Sequence, residues 1–516
     1  MVRLDRNAFV DVKELWKKLP WKKFRKSLFR LQKRIFKAVR EGDAAKVKNL
    51  QKLVLKSSAA KLLAIRQITQ LNKGKKTAGV DGVKSLNFLQ RFEILFQLTN
   101  VREWKPSELR RIPISKKNGK VRILSVPTIK DRIWQCLIKF ALEPTYEGYF
   151  HAKSYGFRPG RSAHDVQKMI FHQLKAVGNR YGKTDSNKKK RIIELDIEKC
   201  FDRISHKSIM NQLVATAGMK QAIFRSLKAG VFPGFPDQGT PQGGVFSPLL
   251  ANIALNGIED VHTSIRYADD MAIFLKPKDN AEEILQKVKN FLVKRGMNIS
   301  EEKTKITPAT QGFDFLGWNF KVQKNGKCRI TPSEDNYKAF IKKIKPIINN
   351  SNYGADIKAQ KLAPIVRGWR NYHKYCNMSG SRFSLWFTIK RCETIFRKQK
   401  SIDKDSSVSL IRKAFPAVSW QENKFINVTG NRSPYDGDLV YWSGRNSKLY
   451  DGYTVELLKE QNHTCPICGL LMLHDEDVHL HHLDGNHRNW RKSNVSVMHR
   501  SCHQYIHMVD DAKSTD

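Results

Sequence analysis

Apolar residues recur at helical spacing near the start of the chain. Leu28, Leu31, Ile35 and Val39 form one stripe, which Gly42 closes. Asp43 can cap a second helix carrying Val47, Leu50 and Val54, and Leu62, Leu63 and Ile65 belong to a third. The period then changes. Residues 110–124 read as two strands joined by Asn118-Gly119, a strong hairpin signal. Segments 131–142 and 281–295 read as helices, and 335–400 is helical and basic. The run Arg191-Ile192-Ile193-Glu194-Leu195 predicts a short strand ending on Asp196. Residues 264–275 place apolar residues on both sides of Asp269-Asp270, which predicts two short strands with the acids at the turn. Such a pair can be an ordinary solvated turn. However, the turn lacks the Gly or Asn that a tight hairpin usually takes. Residues 401–455 show little periodicity.

Charge changes the picture most. The 516 residues hold 94 Lys+Arg against 48 Asp+Glu, a net of +46. An excess of that size points to polyanionic partners, hence nucleic acid. Residues 1–70 alone carry 20 Lys+Arg and 5 Asp+Glu. Lys22, Lys23, Arg25, Lys26, Arg30, Lys33, Arg34 and Lys37 make a dense basic helix face suited to RNA. The length predicts several domains. No run of about 18 apolar residues exists to span a bilayer, and the amino terminus has no apolar signal core. Eight scattered cysteines argue for a reducing compartment over a disulfide framework.

The chemistry centres on three acids. If the 191–195 strand pairs beside the 265–275 hairpin, Asp196 faces Asp269, and close carboxylates repel unless a cation joins them. Two Mg²⁺ ions roughly 3.5–4 Å apart would activate a 3′-hydroxyl and stabilise leaving pyrophosphate. Tyr267-Ala268-Asp269-Asp270 after a Leu-Asp-Ile strand resembles the palm of a reverse transcriptase. Asn72–Gly82, Ser154–Ala163 and Gly239–Asn252 extend the likeness to the group II intron-encoded reverse transcriptase/maturase family.

That resemblance implies an α+β multidomain protein: a right-hand polymerase with an antiparallel palm sheet, a helical thumb, and a small terminal module. It implies Asp196, Asp269 and Asp270 as catalytic Mg²⁺ ligands. Lys116, Arg122, Phe201, Gln242 and Lys303 would meet the incoming nucleotide, with Phe201 selecting deoxynucleotides. Tyr155, Phe157 and Arg158 would contact the template. Leu316 and Gly317 would hold the primer end. Arg367, Trp369, Arg370 and Tyr372 would grip primer, template or intron RNA, where alternating Arg and aromatic residues suit a nucleic-acid groove.

The last sixty residues carry different chemistry. Cys465-x₂-Cys468 with His499-x₂-Cys502 is a candidate structural zinc site, which would staple a domain with little core. His481, His482, Asn494, His503 and His507 resemble an HNH endonuclease, implying a ββα-metal fold. His503 and His507 are at i, i+4 on one helix face. By that resemblance His482 is the general base, an imidazole titrating near physiological pH. His481, His503 and His507 would hold one divalent metal, and Asn494 would orient the site loop.

The expected organisation is a basic helical extension (1–70), fingers and palm (71–330), thumb or maturase region (331–420), a short linker or DNA-binding region (421–455) and a nuclease (456–516). The expected function is RNA-directed DNA synthesis, intron splicing assistance and DNA nicking for intron mobility. The expected partners are group II intron RNA, target DNA, dNTPs and an RNA template with DNA primer, in a bacterial cytoplasm or an organelle. The intact acids weigh against a splicing-only protein, and the 361–375 stretch weighs against a freestanding reverse transcriptase–nuclease.

Overall fold

The computed structural model describes residues 11–115, 119, 121–175, 178–179, 182–183, 187–230, 236–398, 403–418, 427–438, 441–442, 445, 452–470, 472, 478–487 and 489–510. It opens with four helices, α1 (Val12–Lys18), α2 (Trp21–Arg40), α3 (Ala44–Lys56) and α4 (Ser58–Arg66). The stripe Leu28, Ile35 and Val39 is buried as its spacing requires. Gly42, at φ +76°, ends α2: its N–H bonds Val39 O and the Asp43 N–H bonds Ala38 O, both at 3.0 Å. Asp43 then caps α3, accepting from Lys46 N at 2.8 Å.

These helices are not a detached extension. They share one apolar core with α5 (Phe88–Gln97), α6 (Ile129–Glu147) and the palm. Polar pins reinforce it: Gln32 donates to Phe140 O at 3.1 Å, and buried Gln51 donates to Val214 O at 2.9 Å.

Strands β1 (Arg110–Ser115) and β2 (Val121–Val126) pair antiparallel. The Asn118-Gly119 turn expected between them falls on a segment that lies largely outside the described residues. Helix α7 (Ala163–Leu174) follows. The palm sheet contains β3 (Arg191–Leu195), β4 (Ser264–Tyr267), β5 (Asp270–Leu275) and β6 (Lys305–Pro308) in the order β4-β5-β3-β6. All three neighbouring pairs are antiparallel. Helix α8 (Ser247–Leu255) packs beneath it, and α9 (Ala281–Val293) covers its flank. A second sheet, β7 (Phe313–Phe315), β8 (Trp318–Val322) and β9 (Cys328–Pro332), closes the other face of the palm.

Helices α10 (Glu334–Asn349), α11 (Ala355–Tyr372), α12 (Trp386–Arg397) and α13 (Lys404–Ala414) form a separate core around Phe340, Ile344, Leu362, Val366 and Phe396. The described parts of 421–455, expected to be a linker, lie docked on the palm. Arg445 and Asp165 form a fully buried ion pair at 2.7 Å. Gly160 abuts Pro434 and Trp442 so closely that a Cβ there would sit 2.8 Å from the proline ring. The carboxy-terminal module comprises α14 (Gly452–Glu460), the antiparallel pair β10 (Val478–His482) and β11 (Val495–His499), then α15 (Arg500–Asp510).

Candidate functional site

The catalytic-acid candidates meet at one end of the palm sheet. In the β3–β5 ladder Leu195 pairs with Met271, so the next residue, Asp196, comes level with Asp270. In β4–β5, Tyr267 pairs with Asp270, leaving Ala268 and Asp269 as a two-residue turn. Ala268 takes φ +59°, a left-handed conformation that costs a non-glycine residue roughly 1–2 kcal/mol. The surrounding structure must therefore hold the turn, and it does so from below with buried groups.

Arg266 is fully buried and points beneath the turn. Its Nη1 donates to Ala268 O at 2.9 Å and to Asn252 Oδ1 at 3.0 Å. Its Nε donates to Glu259 Oε1 at 2.6 Å and its Nη2 to Ser154 Oγ at 2.8 Å. Asn252, on α8, also donates to Gly156 O at 2.8 Å. A Cβ at Gly156 would lie 2.3 Å from Ala268 N, so only glycine lets this segment reach the turn. Sequence reasoning missed this buttress. Its members come from four segments, and its one local sign is an arginine inside a strand of apolar neighbours.

The acids repel one another. Burial raises Asp269, and the Asp196 charge adds to it. Burial pushes Asp270 up to about 6, with Asp269 and Asp196 adding to the shift. Lys303 Nζ sits 2.8 Å from Asp196 Oδ2, a cation drawn to the cluster. Three converging carboxylates of this kind fit a hard divalent ion such as Mg²⁺. Protonation of Asp270 competes with that ion, so Mg²⁺ affinity should fall as pH drops through about 6. Because the folded-state value lies above the ordinary 3.8, metal-free protein gains stability as Asp270 takes up its proton. The gain is complete below 3.8 and is lost as pH rises through about 6. Asp270→Asn should flatten both dependences, read by calorimetric Mg²⁺ titration and thermal melts; identical profiles for the two proteins would overturn this coupling.

The nucleotide-side residues gather near the acids. Exposed Arg122 on β2 donates its Nε to Gln242 Oε1, and Gln242 Nε2 donates to Asp202 Oδ1 at 3.0 Å. The Gly243 backbone lies against β2, where a Cβ would meet Ser125 O at 2.5 Å. Phe201 is half-buried, and exposed Phe157 stands edge-on to it with centroids 6.3 Å apart. Lys116 lies outside the described residues.

Several expected nucleic-acid contacts turn inward instead. Arg158 is buried in an ion pair with Glu147 at 2.8 Å and also donates to His151 O and Ser154 O, so its donors are turned into the protein and away from a template. Tyr155 is buried in the palm core. Trp369 stacks on Phe340 at 4.5 Å and donates to Asn336 Oδ1. Arg370 donates to Phe415 O and Pro416 O. Tyr372 stacks on Trp318 at 4.6 Å and donates to Leu316 O at 2.8 Å. These three tie the thumb core together and join it to the palm, and Arg367 alone of that group is exposed. Leu316 and Gly317, at φ +49° and +79°, form the tight turn between β7 and β8.

In the terminal module, Cys465, Cys468, His499 and Cys502 are all buried, with their ligand atoms within 4.8 Å of one another. Cys468 Sγ lies 3.2 Å from His499 Nδ1. Three thiols and an imidazole suit zinc. Arg25 reaches from α2 to within 3.6 Å of Cys468 Sγ, a neighbour the sequence did not reveal. A second group, His481, His503 and His507, also meets the 4.8 Å limit. Burial and the surrounding imidazoles lower His503 to about 4, leaving it neutral and able to ligate. His482 lies outside this trio, against His487 and Trp490, and neither ring nitrogen has a partner among the described residues. Asn494 donates to Asp484 Oδ1 and Asn489 O, tying down the intervening loop.

A hairpin of acids on an antiparallel sheet, with a β-hairpin and a helical bundle packed on the same body, defines a right-hand polymerase of the reverse transcriptase class. Residues 114–320 match the family described as reverse transcriptase (RNA-dependent DNA polymerase), residues 16–98 the N-terminal domain of reverse transcriptase, and residues 337–400 the group II intron maturase-specific domain. Maturase-like protein 1 of Euglena gracilis is 40% identical over 399 residues, covering 77% of this chain and 85% of the relative. Protein YkfC of Escherichia coli (strain K12) is 30% identical over 326 residues, covering 53% of this chain and 84% of the relative. Group II intron-encoded protein LtrA of Lactococcus lactis subsp. cremoris is 28% identical over 337 residues, covering 50% and 54%. The chain belongs to the group II intron reverse transcriptase/maturase family. Its reverse transcriptase domain supports RNA-directed DNA polymerase activity, with a divalent metal. No helix among the described residues is long and apolar enough to cross a membrane.

Proposed function

We propose that this protein copies RNA into DNA at Asp196, Asp269 and Asp270, assists splicing of a group II intron, and nicks DNA with its carboxy-terminal module. The observation that carries the reading is the convergence of the three acids on a buttressed turn. Mg²⁺ bound there would activate the primer 3′-hydroxyl and stabilise leaving pyrophosphate. The chain's own residues orient the reactants. Arg122 and Gln242 line the approach beside the acids, and Phe201 with Phe157 forms an apolar wall suited to a deoxyribose. Lys303, drawn to Asp196, can move to a phosphate once metal neutralises the carboxylates.

Splicing rests on the maturase-specific match and on the basic surfaces. Its test is to express the protein with its flanking DNA and sequence the RNA that copurifies. Recovery of one structured intron supports the reading, and a random RNA population removes it.

For nicking, support comes from the ββα order of β10, β11 and α15 with two His/Cys groups, the arrangement expected of an HNH nuclease. His481, His503 and His507 would hold one divalent ion, and His482 would take a proton from the attacking water. The buried Cys/His group would hold structural zinc. His482→Ala should lower duplex nicking by at least about 100-fold and leave primer extension unchanged. Loss of both activities would mean that the modules are not independent.

A further inference from the structure

The His481/His503/His507 group does not face open solvent alone. Helix α15 lies over the amino-terminal part of the polymerase, and a cleft of about 420 Å³ separates them. Gln504 and His507 line one side; Gln70, Lys75, Lys76 and Arg91 line the other. No acid lines this cleft among the described residues. Lys76 is exposed, and Lys75 is held in place by donating to Gln70 O at 2.7 Å.

Arg91 is the informative member. It sits on α5, half-buried, with its guanidinium 4.6 Å from the Phe88 ring and 5.5 Å from Trp16. Its Nε and Nη1 are buried with no hydrogen-bond partner among the described residues. Arginine has five donors and stays charged, so a desolvated guanidinium resting only on rings lacks the anion it is built to bind. Burial lowers it to about 10, which still leaves it cationic at neutral pH. By contrast, the buried Arg158, Arg266 and Arg445 have carboxylate partners, and the buried Arg132 and Arg161 donate to backbone carbonyls.

We propose that Arg91, with Lys75 and Lys76, forms a phosphate-binding shelf on the polymerase body that holds the DNA strand cut at the His481/His503/His507 site. The inference rests on the nuclease reading of that site and deepens it: the nuclease would be completed by residues about four hundred positions away. The ligand is a DNA phosphodiester beside the scissile one. A metal on the histidines would take one phosphate, and the cations across the cleft would take a neighbour on the same strand.

The test uses the full-length protein and a labelled DNA duplex carrying its nick site. Arg91→Gln should lower nicking efficiency about 10-fold or more, while primer extension on an RNA template stays at the wild-type rate. Arg91→Lys, which keeps the charge, should recover most of the loss. Phosphate-ethylation interference is then mapped for DNA binding by the His482→Ala protein. One phosphate near the nick should matter for that protein and cease to matter once Arg91→Gln is added. Unchanged nicking and an unchanged interference map would overturn the shelf while leaving the nuclease reading intact. If the wild type nicks nothing with Mg²⁺ or Mn²⁺, the nuclease reading falls, and the interference map alone decides whether the cleft binds DNA. Should Arg91→Gln fail to fold, Lys76→Gln on the exposed rim replaces it, with a smaller loss of the same kind expected and wild-type behaviour counting against the shelf.

Discussion

Asp269→Ala is expected to cut RNA-templated DNA synthesis by about 10³-fold or more, on the order of 4 kcal/mol of transition-state stabilisation. The loss should appear in the rate of nucleotide addition, because the side chain would act on metal at the reacting phosphate. Binding of the RNA–DNA duplex should change little, since the basic surfaces of the chain remain. Folding should survive as well. Asp269 is raised by burial and by the Asp196 charge, so its ionised form is a cost to the metal-free protein, and removing it relieves repulsion. Asp269→Asn, which preserves shape, should be as inactive as the alanine variant. Primer extension by gel and thermal melting separate the two effects. DNA synthesis at the wild-type rate by either variant would remove these acids from the mechanism.

The second large effect lies under the turn. Arg266→Met leaves Glu259, itself fully buried, without its cation. Breaking a buried pair in this way costs about 3–5 kcal/mol. The palm should therefore unfold at lower denaturant in the variant. Adding Glu259→Leu removes the uncompensated charge and should restore much of that stability. Activity should not return with it, because Ala268 O still lacks the Arg266 donor and the turn is free to relax from its left-handed conformation. A stable double variant with full polymerase activity would show that the buttress is structural only. Gly156→Ala is an independent route to the same disturbance, since its Cβ would collide with backbone and not with a movable side chain.

The elements differ in how far the chain announced them. The stripe on α2, the Gly42-Asp43 boundary, the 191–195 strand and the acidic hairpin are local patterns, and local sterics with burial of one face produce them directly. The Cys465/Cys468 and His499/Cys502 pairs and the i, i+4 histidines were equally readable as candidate ligands, because metal binding needs fixed chemistry at short spacing.

The thumb shows where pattern misleads. Arg367, Trp369, Arg370 and Tyr372 look alike as a groove-lining set, yet three of them point at Asn336, Phe415, Pro416 and Leu316. Composition names residues able to bind nucleic acid; it does not say which side of a helix faces the core. Likewise, the described residues of 427–445 lack periodicity because one buried salt bridge, Arg445 to Asp165, and hydrogen bonds to backbone, such as Arg161 to Gly430 O, anchor them where an apolar stripe would otherwise be needed.

By itself, then, the chain announced the first helices, the 191–195 strand and the acidic hairpin, and a small Cys/His module after a basic polymerase, but not the strands of 313–332 or the helix at 404–414. Tertiary structure alone decided what holds the acidic turn, which arginines are spent inside, and that Arg91, with two donors unpartnered among the described residues, lines the cleft beside His507. The physical reason is that a buried polar group is satisfied by whichever partner folding brings within about 3 Å. Such partners, separated by 280 residues in the Arg445–Asp165 pair, leave no period in the sequence.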